Sequence, residues 1–166
     1  MSQKEGYINY EEYSQVGEPQ KAERAYAWST AIGLQAVDGL TVSQYLKDTA
    51  VRNIEGEISI DEARELIKTY YQTKTNREPD DEEKQEADKV SGNIAKIIAE
   101  QSFSFSVPTL ISFHRHIFEG VFKHAGQLRP YDITKKEWVL RGDTVLYGRS
   151  QDLRMALEYD MEQERQ

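Results

Sequence analysis

The sequence predicts a mainly α-helical chain with one β-hairpin, and three observations lead to that fold class. Apolar residues recur at spacings of three and four through most of the chain beyond Gln20. Capping residues such as Ser59, Ser106 and Ser150 stand just ahead of those stripes. The period shifts to that of paired strands once, on either side of Arg141-Gly142-Asp143.

Residues 1–19 are polar, show no sustained period and end at the turn-rich Gly17-Glu18-Pro19. From Gln20 a first helix is expected, with Ala22, Ala25, Tyr26, Ser29, Ile32, Ala36 and Val37 as its apolar stripe. Gly39 stands where a helix C-cap needs a left-handed residue. Thr41 and Gln44 have the spacing of a capping box, so a second helix should start near Thr41. It would bury Val42, Tyr45, Leu46, Thr49 and Ala50. Ser59 and Glu62 repeat the spacing ahead of a third stripe, Ala63, Leu66, Ile67 and Tyr70. These three helices form an expected unit over 20–72. An acidic linker and helix start covers 73–85, with Asp80 or Asp81 as N-cap. Ala87, Val90, Ile94, Ile97 and Ile98 then form a stripe ending near Glu100.

Ser106 caps the next helix, with Pro108 in its first turn, where a missing N–H costs little. Leu110, Ile111, His114, Ile117, Phe118, Val121 and Phe122 make it the most apolar helix of the chain. Glu137-Trp138-Val139-Leu140 and Thr144-Val145-Leu146-Tyr147 are the expected arms of the hairpin. A last helix runs from Gln151 to about Arg165, capped by Ser150.

Composition narrows the function. The 166 residues suit one domain, or a small domain with a regulatory appendage. The absence of cysteine excludes a disulfide scaffold, a thiolate zinc site, an iron–sulfur cluster and a cysteine nucleophile. With 29 acidic against 21 basic residues the net charge is −8, which argues against a nucleic-acid partner. No apolar run suits a membrane span or a signal peptide, so a cytoplasmic protein without a membrane partner is expected.

Motif by motif, the chain assembles no active site. His114 and His116 are two apart, not at the i, i+4 spacing of helical metal ligands, and no metal site is expected from them or His124. They are better read as packed or surface histidines. The glycines never group into GxxxxGK or GxGxxG, and no nucleophile elbow occurs. Three features ask for more than packing. Leu34-Gln-Ala-Val-Asp38-Gly39 puts a carboxylate at a helix end, an apolar helix runs into His124-Ala125-Gly126-Gln127-Leu128-Arg129, and the hairpin has an edge able to accept an extended peptide.

Together these residues resemble the Fic family, whose typical activity is transfer of AMP from ATP to a protein hydroxyl. His114-Arg115-His116-Ile117-Phe118 and His124-Ala125-Gly126-Gln127-Leu128-Arg129 are similar to the helix and turn opening the Fic core. The resemblance makes His114, Arg115, Phe118, Ala125, Gly126 and Arg129 core-motif residues. It makes the segment 133–147 the target-docking flap, with Thr134, Trp138, Val139, Val145 and Tyr147 along it. Residues 20–72 resemble the VbhA-type antitoxin unit that inhibits Fic enzymes, on Gln35-Ala-Val-Asp38-Gly39-Leu40 and Glu55-Gly56-Glu57-Ile58. The implied architecture is a three-helix antitoxin-like unit followed, over 86–166, by the N-terminal half of a Fic domain.

The inhibitory motif of the family is Ser/Thr-x-x-x-Glu followed by Gly or Asn, and here Leu34 and Asp38 stand in its Ser/Thr and Glu places, with Gly39 following. In the family that carboxylate pairs with the second arginine of His-Pro-Phe-x-x-Gly-Asn-x-Arg, and ATP then sits unproductively. This catalytic motif does not occur in the 166 residues, so no catalytic residue is assigned and no AMP transfer by this chain alone is expected. ATP and Mg2+ are implied for the complete family enzyme, with no cofactor for this chain. The expected partners are a target protein and the missing catalytic half, because the pattern stops inside a recognisable core. The alternative is a non-catalytic helical module that binds a partner protein.

Overall fold

The computed structural model describes residues 9–15, 17–100, 103–136 and 141–165. They form α1 (Tyr10–Gln15), α2 (Pro19–Val37), α3 (Gln44–Ile54), α4 (Ile60–Thr73), α5 (Asp81–Glu100), α6 (Val107–Phe118), β1 (Thr134–Lys136), β2 (Thr144–Leu146) and α7 (Leu153–Glu164). The chain is mainly α with a small antiparallel sheet. Among the described residues no helix is long and apolar enough to cross a membrane.

Local chemistry sets most boundaries. Ser59 and Glu62 close a full capping box at α4, with Glu62 N–H on Ser59 Oγ at 3.2 Å and Ser59 N–H on Glu62 Oε2 at 2.7 Å. Ser106 Oγ accepts from Thr109 N–H at 3.2 Å, with proline in the first turn of α6. Two expected caps are corrected. The second helix starts at Gln44 rather than near Thr41, because Ser43 Oγ takes the Leu46 N–H at 3.0 Å. Ser150 does not cap α7: it lies in a 3-10 turn over Ser150–Asp152, and its N–H is held by Asp132 Oδ1 at 2.6 Å. The polar stretch before Pro19 also contains α1, which sequence periodicity did not reveal. Tyr10 and Tyr13 pack from it onto the core.

Trp28 organises that core. Its indole is fully buried, and Nε1 donates to Asn53 Oδ1 at 2.9 Å, while Asn53 Nδ2 donates to Ile58 O at 3.0 Å. Of the expected α2 stripe, Ala25 is buried and Ile32 packs against the core, but the helix is rotated so that Tyr26 and Val37 face outward. Ala25, Ala27, Trp28, Ala31 and Gln35 are buried, whereas Tyr26 is 66% and Val37 82% exposed. The largest side chain with a polar tip settles the orientation, since burying it gains most and its N–H needs a partner. Leu46, Ala50 and Ile54 of α3, Ala63, Ile67 and Tyr71 of α4, and Ala87, Val90 and Ile94 of α5 complete the cluster. One core therefore draws on residues either side of segment 73–85. By contrast α6 buries only Val107, and α7 buries none of its residues.

A carboxylate sits inside this core. Asp88 is fully buried and accepts from Ser43 N–H at 2.9 Å, Ser43 Oγ at 2.5 Å and Tyr71 OH at 2.6 Å. Loss of solvation still dominates these bonds and pushes its carboxyl above the ordinary range. The folded state therefore favours the protonated acid, so its contribution to stability is present at low pH and declines as pH rises through the raised value. An asparagine at this position would stay neutral throughout. Urea unfolding of the wild type and Asp88→Asn should therefore show a cost of the substitution that shrinks from acid to neutral pH. A cost that grows toward neutral pH would mean the ionised form is the favoured one.

Candidate functional site

The Asp38 end of α2 is built by its backbone. Gly39 N–H donates to Ala36 O at 3.1 Å and Leu40 N–H to Gln35 O at 2.9 Å, with Gly39 at φ 77°. This is the paired C-terminal bonding of a Schellman end, which only glycine adopts without strain. The same arrangement ends α3, where Gly56 N–H reaches Asn53 O at 3.0 Å and Glu57 N–H reaches Arg52 O at 2.9 Å, with Gly56 at φ 82°. Asp38 is thus the last residue before the chain reverses. Its carboxylate is exposed and has no partner among the described residues. Leu34, 48% exposed, and Val37 lie beside it, and with Tyr26 they form an apolar stripe on the face opposite Trp28.

A second group forms where α6 meets the following turn. Gly126 N–H donates to His114 Nδ1 at 2.8 Å, so this imidazole accepts at Nδ1 and carries its neutral-form proton at Nε2. The His114 ring lies 4.9 Å from Phe118 and 6.3 Å from His124, and His124 stacks on Phe122 at 5.2 Å. Gly126 is buried at φ 74°, and a Cβ there would stand 2.7 Å from both Cβ and Nε of Arg115. His114, Arg115, Phe118, Ala125 and Gly126 therefore belong to one packed corner. Gly126→Ala should cost about 1–2 kcal/mol from backbone strain alone. The local mark is faster amide exchange at Gly126 and Gln127, and unchanged exchange there would deny the corner its rigidity.

Arg129 leaves that corner and fastens the hairpin. Its guanidinium donates to Tyr131 O at 2.6 Å and to Gly148 O, and Nη1 lies 4.0 Å from Asp132 Oδ1. Asp132 in turn holds the Ser150 N–H, which draws its carboxyl below the usual range. Both ends of the hairpin are thereby tied together. The described pairing is Thr134 with Leu146, Lys135 with Val145 and Lys136 with Thr144, within the expected segment 133–147, and the expected first arm at 137–140 lies outside the described residues. Trp138 and Val139 lie outside the described residues. Thr134 and Tyr147 are exposed and Val145 is half-buried. Asp132 was missed by sequence reasoning, because nothing local marks a carboxylate whose partner is 18 residues away.

At the His114 corner and the base of the hairpin, the groups that could meet a phosphate are already engaged within the chain. Arg129 spends its guanidinium on two carbonyls and Asp132, and Gly126 N–H is taken by His114. The acidic trio Glu78, Asp80 and Asp81 is met by its own counterions, Lys74 at 2.6 Å from Asp81 and Lys84 at 2.7 Å from Asp80. No hydrogen bond or ion pair joins Asp38 to the His114 corner among the described residues. The chain matches no family model, no curated protein and no solved structure.

Proposed function

We propose that this chain is the regulatory and target-docking part of a self-inhibited Fic-type protein that transfers AMP from ATP to a protein hydroxyl. The observation that carries the reading is Asp38, whose exposed carboxylate at the end of α2, beside the apolar Leu34 and Val37, has no partner among the described residues. Such a tip suits insertion against a guanidinium, with the apolar stripe covering the approach and the Gly39 reversal clearing the backbone. The arginine engaged would be that of a His-Pro-Phe-x-x-Gly-Asn-x-Arg segment. Held by Asp38, it is unavailable to phosphate.

The hairpin supports the docking role. A two-stranded sheet of this size is marginal alone, and here it is anchored at its base by Arg129 and Asp132, with β1 and β2 paired only to each other among the described residues. The testing experiment is AMP transfer from labelled ATP in the presence of a segment bearing the motif, with Asp38 intact or replaced by glycine. Equal transfer by both forms, each folded, removes Asp38 from the reading. A second reading, a non-catalytic module that binds a partner protein, is favoured by the apolar exposure of Phe103, Phe105, Leu110 and Phe122 near α6. Under that reading the chain binds its partner without altering any nucleotide transfer.

A further inference from the structure

A cleft unconnected with Asp38 or the hairpin lies between α4, α5 and the turn at Glu119–Gly120, with a volume of about 490 Å³. That is within the range of sites for small organic ligands. Its chemistry runs against the chain's net charge of −8, because Arg64, Lys68 and Lys89 all line it. We propose that this cleft binds a small hydroxylated phosphomonoester, such as a sugar phosphate.

Three features carry the assignment. The first is a prepared cation. Asn93 Oδ1 takes the Arg64 Nε–H at 2.9 Å while Asn93 Nδ2 donates to Ile117 O at 2.8 Å, so the guanidinium is set in place before any ligand arrives. Its neighbour Asp61, at 3.4 Å, is already shared with Lys96 at 2.8 Å. The second is a cation lacking a counterion. Lys89 has no carboxylate partner among the described residues, and its polar contact is Gly120 O at 3.5 Å. Burial, with Lys68 and Arg77 nearby, draws its ammonium below the usual range, and a bound anion would relieve that repulsion.

The third feature is room. Gly92 forms part of the wall, where its lack of a side chain lets Arg64 lie close, since a Cβ there would stand 3.3 Å from Arg64 Cγ. A lone phosphate would leave much of the volume empty. Two carboxylates also line the cleft: Glu65, which is 3.6 Å from Lys68, and Glu119. A carboxylate repels phosphate but accepts from a hydroxyl, so the ligand needs a phosphate at the cation side and hydroxyl groups beyond it.

The experiment is calorimetric titration of the whole chain with ribose 5-phosphate, ribose and inorganic phosphate at matched low ionic strength. Ribose 5-phosphate should bind, inorganic phosphate more weakly and ribose not at all. Lys89→Gln and the more exposed Lys68→Gln should each weaken binding about tenfold, as one lost charge-assisted contact predicts. Lys47→Gln, on α3 outside the cleft, should leave it unchanged. Bound ligand should also slow acylation of the Lys89 amine, read by mass spectrometry. Absence of binding to the wild type, or equal loss in Lys47→Gln, overturns the site. Inorganic phosphate binding as tightly as the ester overturns the ester assignment.

Discussion

Replacing Asp38 by glycine should raise AMP transfer about tenfold or more when the chain works with a motif-bearing segment, the effect expected from one bidentate carboxylate–guanidinium pair. The direction follows from placement. Asp38 terminates α2 and its carboxylate meets no cation among the described residues, so the folded chain loses no internal contact with it. Glycine at this helix end leaves Gly39 and the bonds to Gln35 and Ala36 in place. Asp38→Glu should restore inhibition and strengthen it, because the longer arm supplies the family's own residue. Asp38→Asn separates charge from shape and should release transfer nearly as well as glycine. An equal rise from the exposed Asp48→Gly on α3 would reduce the effect to a general loss of negative charge.

Trp28→Ala should be the most destabilising single change, at about 3–5 kcal/mol for an aromatic residue removed from a packed core. Two losses combine. The indole is fully buried among α2, α3, α4 and α5, and its N–H satisfies Asn53, itself buried and bonded to Ile58 O. Removing the donor leaves a buried amide oxygen unpaired beside the cavity. Trp28→Phe keeps most of the apolar volume and isolates the hydrogen bond, so it should cost substantially less. Equilibrium urea unfolding measures both. A cost for Trp28→Ala close to that of a surface substitution would contradict the placement of Trp28 at the centre of the core.

What the sequence revealed divides by the range of the interaction. Ser59 with Glu62, and Ser106 ahead of Pro108, act within one helical turn, and their caps are legible directly. Gly39 and Gly56 are legible for the same reason, since a left-handed residue is required at a helix end. The face of α2 was misread in part because alanine, isoleucine and valine occur around much of its circumference. Trp28 decides the face through Asn53, 25 residues away. Ser43, Tyr71 and Asp88 meet over separations of 45 and 17 residues, which no periodicity records. The hairpin's place within 133–147 is legible, whereas the pairing of Lys136 with Thr144 depends on contacts across the sheet that alternation alone does not specify. The cleft of Arg64, Lys68 and Lys89 went unseen because in the sequence these cations look like ordinary solvated helix faces.

Asp38, Gly39 and the His114–Gly126 corner were legible as motifs, yet their relation to one another depends on elements that neither motif encodes. The Asp38 proposal needs an arginine supplied by a His-Pro-Phe-x-x-Gly-Asn-x-Arg segment. The most direct measurement is therefore the DNA sequence of the source locus around the codon for Gln166. An encoded His-Pro-Phe-x-x-Gly-Asn-x-Arg, in the same frame or in an adjoining gene, is the result the account predicts. A locus with no such motif would contradict it, leaving Asp38 without the arginine it is proposed to occupy.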